Sequence, residues 1–266
     1  MGRAVKSEIR KMLTTRMWWG MAIAIFSCGA LFALLFGAIS RTKPDPNNPG
    51  VPVFTPLEAA INTYTGGVGF GYVFLMVIGI MTIGAEYRHK TITGTLLANP
   101  KRPSMIASKV IALLAFGILY GLVFLVGSVS VGAAILSARG LQAFPEAGTL
   151  TRSLLLVLLV LGLWALIGLG LGVLIPNQVA AILIGVGIAF IVEPIIGFAI
   201  SSISWGKDVA QFLPSQATAA VLGGYTGDPD ATTAGLNWWQ GSLTLLVYAA
   251  IFVAIGTWLT NRRDVT

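Results

Sequence analysis

Apolar residues run along this chain in long unbroken stretches, and polar residues gather in the connections between them. A helix rises about 1.5 Å per residue and needs about 20 apolar residues to cross a hydrocarbon layer about 30 Å thick, so each stretch of that length reads as one span. Six stretches qualify: residues 17–39, 68–85, 105–136, 154–175, 179–203 and 241–259. Strands of a membrane barrel alternate apolar with polar positions over about 10 residues, and these runs are continuously apolar. The pattern predicts an all-α membrane protein, with residues 1–266 forming a single transmembrane domain. The stretch 105–136 exceeds one crossing and has its only charge, Lys109, near its start, so it is expected to tilt or to project from the bilayer. Only Pro176, Asn177 and Gln178 separate the fourth and fifth runs, which makes them an antiparallel pair.

The connections differ in kind. In residues 3–16, Val5, Ile9, Met12 and Leu13 fall on one helical face while Lys6, Arg10 and Lys11 lie off it, the pattern of an amphipathic helix in the interface plane. Residues 41–65 open with a Pro- and Asn-rich run that cannot hold a helix, so this connection reads as an exposed loop. Residues 204–240 form the longest outer connection, with apolar patches at 209–212 and 217–222 on either side of Pro214. These patches predict short helices in the outer leaflet, where non-spanning segments are tolerated if they pack on protein or line a cavity. Trp238 and Trp239 mark the outer interface ahead of the last span.

Charge sets the orientation. Of the 17 Lys and Arg residues, 12 fall in the N-terminal segment, the connection 86–104 with Lys109, and the C-terminus, against 5 on the other face. The positive-inside rule therefore places both termini in the cytoplasm, in a plasma (inner) membrane. The net charge of +7 then belongs to a surface facing membrane lipids, not to a nucleic-acid groove. The first run has 23 apolar residues, longer than the roughly 7–15 of a secretory signal, and is read as a retained span. Cys28 inside it is a small buried residue, and a lone cysteine forms no internal disulfide.

Enzymatic chemistry has little to stand on. One His and one Cys support neither a metal cluster nor a catalytic triad, and no Gly-x-x-x-x-Gly-Lys-Ser/Thr loop is present to cradle a nucleotide. Neither a catalytic residue nor a cofactor is expected in this chain. Glu193 is the one ionisable residue deep in a predicted span. A carboxylate there is costly, which points to a substrate or pathway contact; the competing reading is a structural residue bonded to backbone freed at the Pro194 kink.

The connection between the second and third runs is the informative one. Tyr87, Ile92, Leu96 and Leu97 are aromatic or apolar yet lie outside the bilayer, in a stretch that Asn99-Pro100 terminates and that Arg88, Lys90, Lys101 and Arg102 flank. Such a patch needs a cover. The order Glu86, Tyr87, Arg88, Thr91, Leu96, Leu97, Pro100, Arg102 and Lys109 resembles this loop in type-2 ATP-binding-cassette (ABC) export permeases. The resemblance extends to the N-terminal amphipathic helix, the six spans and Leu213-Pro214-Ser215 in the last outer loop, and departs at Lys90, where the family commonly has Gly.

The resemblance implies that residues 86–104 carry a cytoplasmic coupling helix. Glu86, Tyr87, Arg88, Thr91, Ile92, Leu96 and Leu97 would dock on a separate ABC ATPase, present in two copies, that binds the ATP and magnesium. It further implies pairing with a second permease copy or a paralogue, an exit region at Leu213 and Pro214, and export of a hydrophobic or amphipathic substrate such as a drug, a lipid or an antibiotic peptide. Two other function classes stand beside it on the residues alone. A secondary transporter or channel would need mid-membrane ion sites, of which the sequence supplies only Glu193-Pro194. A membrane sensor or scaffold would transport nothing.

Overall fold

The structure, a computed structural model, describes residues 2–44, 53–88, 102–201, 203, 205–223 and 235–262. In chain order the helices are α1 (Gly2–Thr14), α2 (Met17–Ile39), α3 (Pro56–Thr65), α4 (Val68–Arg88), α5 (Arg102–Ala138) and α6 (Ala147–Leu174). There follow α7 (Gln178–Gly187), a π-helical turn (Ile188–Val192), α8 (Glu193–Ser201), α9 (Gly206–Ala210), α10 (Pro214–Leu222) and α11 (Trp238–Arg262). Among the described residues, six segments are long and apolar enough to cross a membrane. At 37 residues, α5 is about 55 Å long, well beyond one hydrocarbon thickness.

Helix α6 is the hub of the bundle. Every residue from Val160 to Val173 is buried, which marks a helix enclosed by protein on all sides, and it packs against α4, α5 and α11. Lipid tails are as apolar as leucine, so close packing of helix backbones has to supply the association. The glycines of α6 provide it by facing different neighbours. Gly168 meets the Met76 backbone of α4, Gly172 meets Ile80 and Ile83 of α4, Gly170 meets Phe252 of α11, and Gly117 of α5 in turn meets the Gly162 backbone. The outward faces of α2, α7, α8 and α11 carry exposed aliphatic side chains such as Leu31, Leu183, Ile195 and Leu246.

The connection 41–65 corrects the sequence reading. Its last ten residues form α3 instead of exposed loop, because Thr55 and Glu58 make a reciprocal capping box and Pro56 occupies the first turn, where its missing N–H costs nothing. The helix is tucked into the bundle, with Ala60 and Tyr64 fully buried and the Tyr64 hydroxyl donating to the Ala143 carbonyl at 2.6 Å. At the same end, the Arg139 guanidinium donates to the Gly37 and Ser40 carbonyls, satisfying acceptors at the C-terminus of α2. Arg152, just ahead of the fourth apolar run, lies in the first turns of α6, with its guanidinium 5.0 Å from the Trp238 ring centre.

Helix α7 does not run straight into α8. Pro194 has no N–H to donate, and the chain widens into a π turn just before it, with the Glu193 N–H reaching the Ile188 carbonyl. This bulge re-aims the following residues and turns the Glu193 side chain inward.

Candidate functional site

Among the described residues, two places in this apolar bundle hold a buried carboxylate. At the end carrying α1, the Lys109 ammonium is fully buried and donates to Glu8 Oε2 at 2.7 Å, Glu86 Oε1 at 2.8 Å and the Thr82 carbonyl at 3.3 Å. Lys11 reaches Glu8 Oε1 and Glu86 Oε1, each at 2.8 Å. Two buried carboxylates are thus balanced by the buried ammonium of Lys109 and the half-exposed one of Lys11. The cluster joins α1, the last turns of α4 and the first turns of α5. Glu86 Oε2 is buried and has no hydrogen-bond partner among the described residues.

Burial alone would raise the Glu8 pKa, but Lys109 and Lys11 outweigh it and hold the carboxyl below its ordinary value. For Lys11, burial would lower the pKa, but hydrogen bonds to Glu8 and Glu86 outweigh it and raise the value. A depressed carboxyl stabilises the fold above its unfolded pKa, and that contribution is lost as pH falls through the folded value. A raised lysine stabilises below its unfolded pKa, and its contribution is lost as pH rises through the folded value. Docking of α1 is therefore expected to hold across neutral pH, to loosen in acid below the ordinary carboxylate range and to loosen in alkali above the ordinary lysine range. A nitroxide placed by Ser7→Cys on the exposed side of α1 reads this as a gain in mobility at both extremes. Mobility that stays flat across the titration counts against it.

The sequence-predicted docking residues divide around this cluster. Glu86 turns its carboxylate inward and is 5% exposed, so it holds helices together behind any docking surface. Arg88 is exposed. The side chain of Tyr87, together with Thr91, Ile92, Leu96 and Leu97, lies outside the described residues. Glu8 and Lys11 are members of the ion cluster that sequence reasoning did not bring together. Their signal was present, since Glu8 is the only acid among the basic residues of α1 and stands three positions before Lys11.

Farther along the bundle, a cavity of about 190 Å³ opens between α4, α6, α7, the π turn, α8, α10 and α11. Its walls are almost wholly apolar, with Met76, Ile167, Leu171, Val192 and Phe252 among them, and Glu193 is the one charged residue lining it among the described residues. Glu193 is 4% exposed, and its Oε1 accepts from the backbone N–H of Ser215 in the first turn of α10. A carboxylate at a helix N-terminus satisfies an orphan donor and complements the positive end of the helix dipole.

Tyr72 stacks on Trp164 at 3.9 Å between ring centres, and Trp164 Nε1 donates to the Thr218 hydroxyl of α10 at 2.9 Å. Tyr248 lines the cavity together with Glu193. Leu213 and Pro214, predicted at an exit region, line the same cavity. The π turn and the docking of α10 thus bring together the residues that the sequence singled out at 193 and at 213–214.

This arrangement is an apolar hollow with one carboxylate beside a short helix. A comparison with curated proteins returns no match. A family model described as "ABC-2 family transporter protein" matches residues 4–201, from α1 through to the end of α8. With that match covering most of the chain and six helices fit to cross a membrane, the protein belongs to the ABC-2 transporter family as a multi-pass membrane permease.

Proposed function

We propose that the chain is the membrane half of an ABC exporter, moving a hydrophobic or amphipathic substrate out of the cell. The observation that carries this reading is the cavity beside Glu193, an apolar space inside a family of transport proteins with a single polar contact to orient a guest. Membership of an ABC-2 family implies an ATPase partner, and a chain without a nucleotide loop needs one to use ATP. Two ATPase copies and a second permease copy or paralogue complete the assembly. The excess of Lys and Arg supports cytoplasmic termini, in the plasma (inner) membrane, with the connection 86–104 facing the ATPase.

Docking falls to residues 87–97, with Leu96 and Leu97 as its apolar contacts. The buried ion cluster supports this assignment, since it fixes the end of α4 to α1 and α5 directly before the docking residues begin. A push on the loop is then delivered to three helices together. The double substitution Leu96→Asp, Leu97→Asp forces charge into an apolar cleft, and is expected to release the ATPase while leaving the six-helix bundle folded. Co-purification of the ATPase with the full chain, beside a transport assay, reads the result. An ATPase that stays bound to the double variant, with transport intact, overturns the docking assignment.

A further inference from the structure

We infer that the cavity beside Glu193 takes the cationic head of an amphiphilic amine, with the Glu193 carboxylate as its counter-ion, and that this head displaces the N-terminus of α10 from the carboxylate. The inference rests on the reading of the cavity as a substrate site and adds the chemical class of the substrate. Three observations carry it.

The first is charge. Glu193 is the cavity's one acidic or basic residue among those described, and the aromatic residues Trp164 and Tyr248 line the same space. Carboxylate plus aromatic faces is the environment that binds an ammonium or guanidinium group. The absence of a basic lining residue among those described argues against a zwitterionic phospholipid head, whose phosphate would lie unpaired beside a carboxylate.

The second is size. The volume of about 190 Å³ falls below the range of about 300–1,000 Å³ that holds a drug-sized ligand. The hollow therefore fits a head group, and the exposed aliphatic side chains Ile188, Val192 and Ile196 in its wall offer an apolar track for the tail.

The third is competition. The carboxylate's partner from α10 is a backbone N–H of Ser215, part of a helix end carrying only a fraction of a charge. A full positive charge entering the cavity is the stronger partner. Helix α10 begins with Pro214, a wall of the cavity, so its release widens the opening at that end.

The experiment uses the full chain in phosphatidylcholine nanodiscs, with decyltrimethylammonium as probe and its uncharged carbon isostere as control. Wild type is expected to bind the cation at least tenfold more tightly than the isostere. Glu193→Gln is expected to abolish that preference while keeping the isostere's affinity, which also shows that the variant is folded, and Glu193→Asp to restore part of it. Hydrogen exchange over Ala217–Leu222 should accelerate with the cation and not with the isostere.

A preference that survives Glu193→Gln, or no preference in wild type, overturns the site. Unchanged exchange in α10 overturns the displacement. Competition by added phosphatidylethanolamine overturns the exclusion of zwitterionic heads. A chain that shows the predicted binding but whose complex with its ATPase moves neither probe refutes the exporter reading instead. Transport of the neutral isostere alone, with no preference for the cation, refutes the site and leaves the exporter standing.

Discussion

Replacing Lys109 with Met is expected to destabilise the protein by about 3–5 kcal/mol, because it strands buried carboxylates without their shared cation. Lys109 is fully buried, and both Glu8 and Glu86 turn an oxygen to its ammonium. Lys11 remains, but it is half-exposed and already bonded to both carboxylates, so it cannot take over the vacated contacts. The loss should appear as a lower unfolding midpoint in detergent and as release of α1, read by the same nitroxide at position 7. A second variant separates charge from packing: Glu8→Gln combined with Lys109→Met restores charge balance around Lys11 and Glu86, and should recover part of the stability. Equal stability of Lys109→Met and wild type would show that the cluster contributes no net energy, and a double variant no better than the single one would show that packing of the lysine stem, not charge, is what was lost.

Much of this architecture is legible in the sequence, and the parts that are not share a cause. The six apolar helices can be read because a hydrocarbon layer imposes one length and one composition on every crossing. The buried cluster cannot, since it joins Glu8 to Lys109 across 101 positions and Lys11 to Glu86 across 75, and no local period reports such a pairing. Each of those residues has a plausible local role, with Lys11 as an interfacial charge and Glu86 as the end of a span, until packing joins them. Helix α3 escaped for a different reason. It has ten residues, too few for a span, and the Pro- and Asn-rich run ahead of it outweighed the Thr55–Glu58 capping box that starts it. Glu193 stood out as a lone carboxylate in an apolar run, yet its partner came from the fold of a short helix 22 positions later.

Replacing Gly168 with Leu is the substitution expected to disturb the bundle most. A Cβ at position 168 would overlap the Met76 carbonyl and Cα of α4, and a Cβ at the facing Gly79 would overlap the Ala165 carbonyl of α6. These obstacles are backbone atoms, which have no rotamer to move into, so the helices themselves must separate. Overpacking that side chains can absorb costs about 1–3 kcal/mol, and this site lacks that relief, so the loss should reach or exceed the upper figure. The damage should also spread, because α6 holds α4, α5 and α11 together, and Gly172 and Gly170 depend on the same placement to meet α4 and α11. Gly20→Ala in α2 is the control. A Cβ there meets nothing within 4 Å, so alanine's helix propensity should make that variant neutral or more stable by up to about 1 kcal/mol. Unfolding midpoints for Gly168→Ala, Gly168→Leu and Gly20→Ala, measured in one detergent, should fall steeply along the first pair and hold or rise for the third. A Gly168→Leu protein that unfolds where wild type does would mean that α4 and α6 do not cross backbone to backbone at this point.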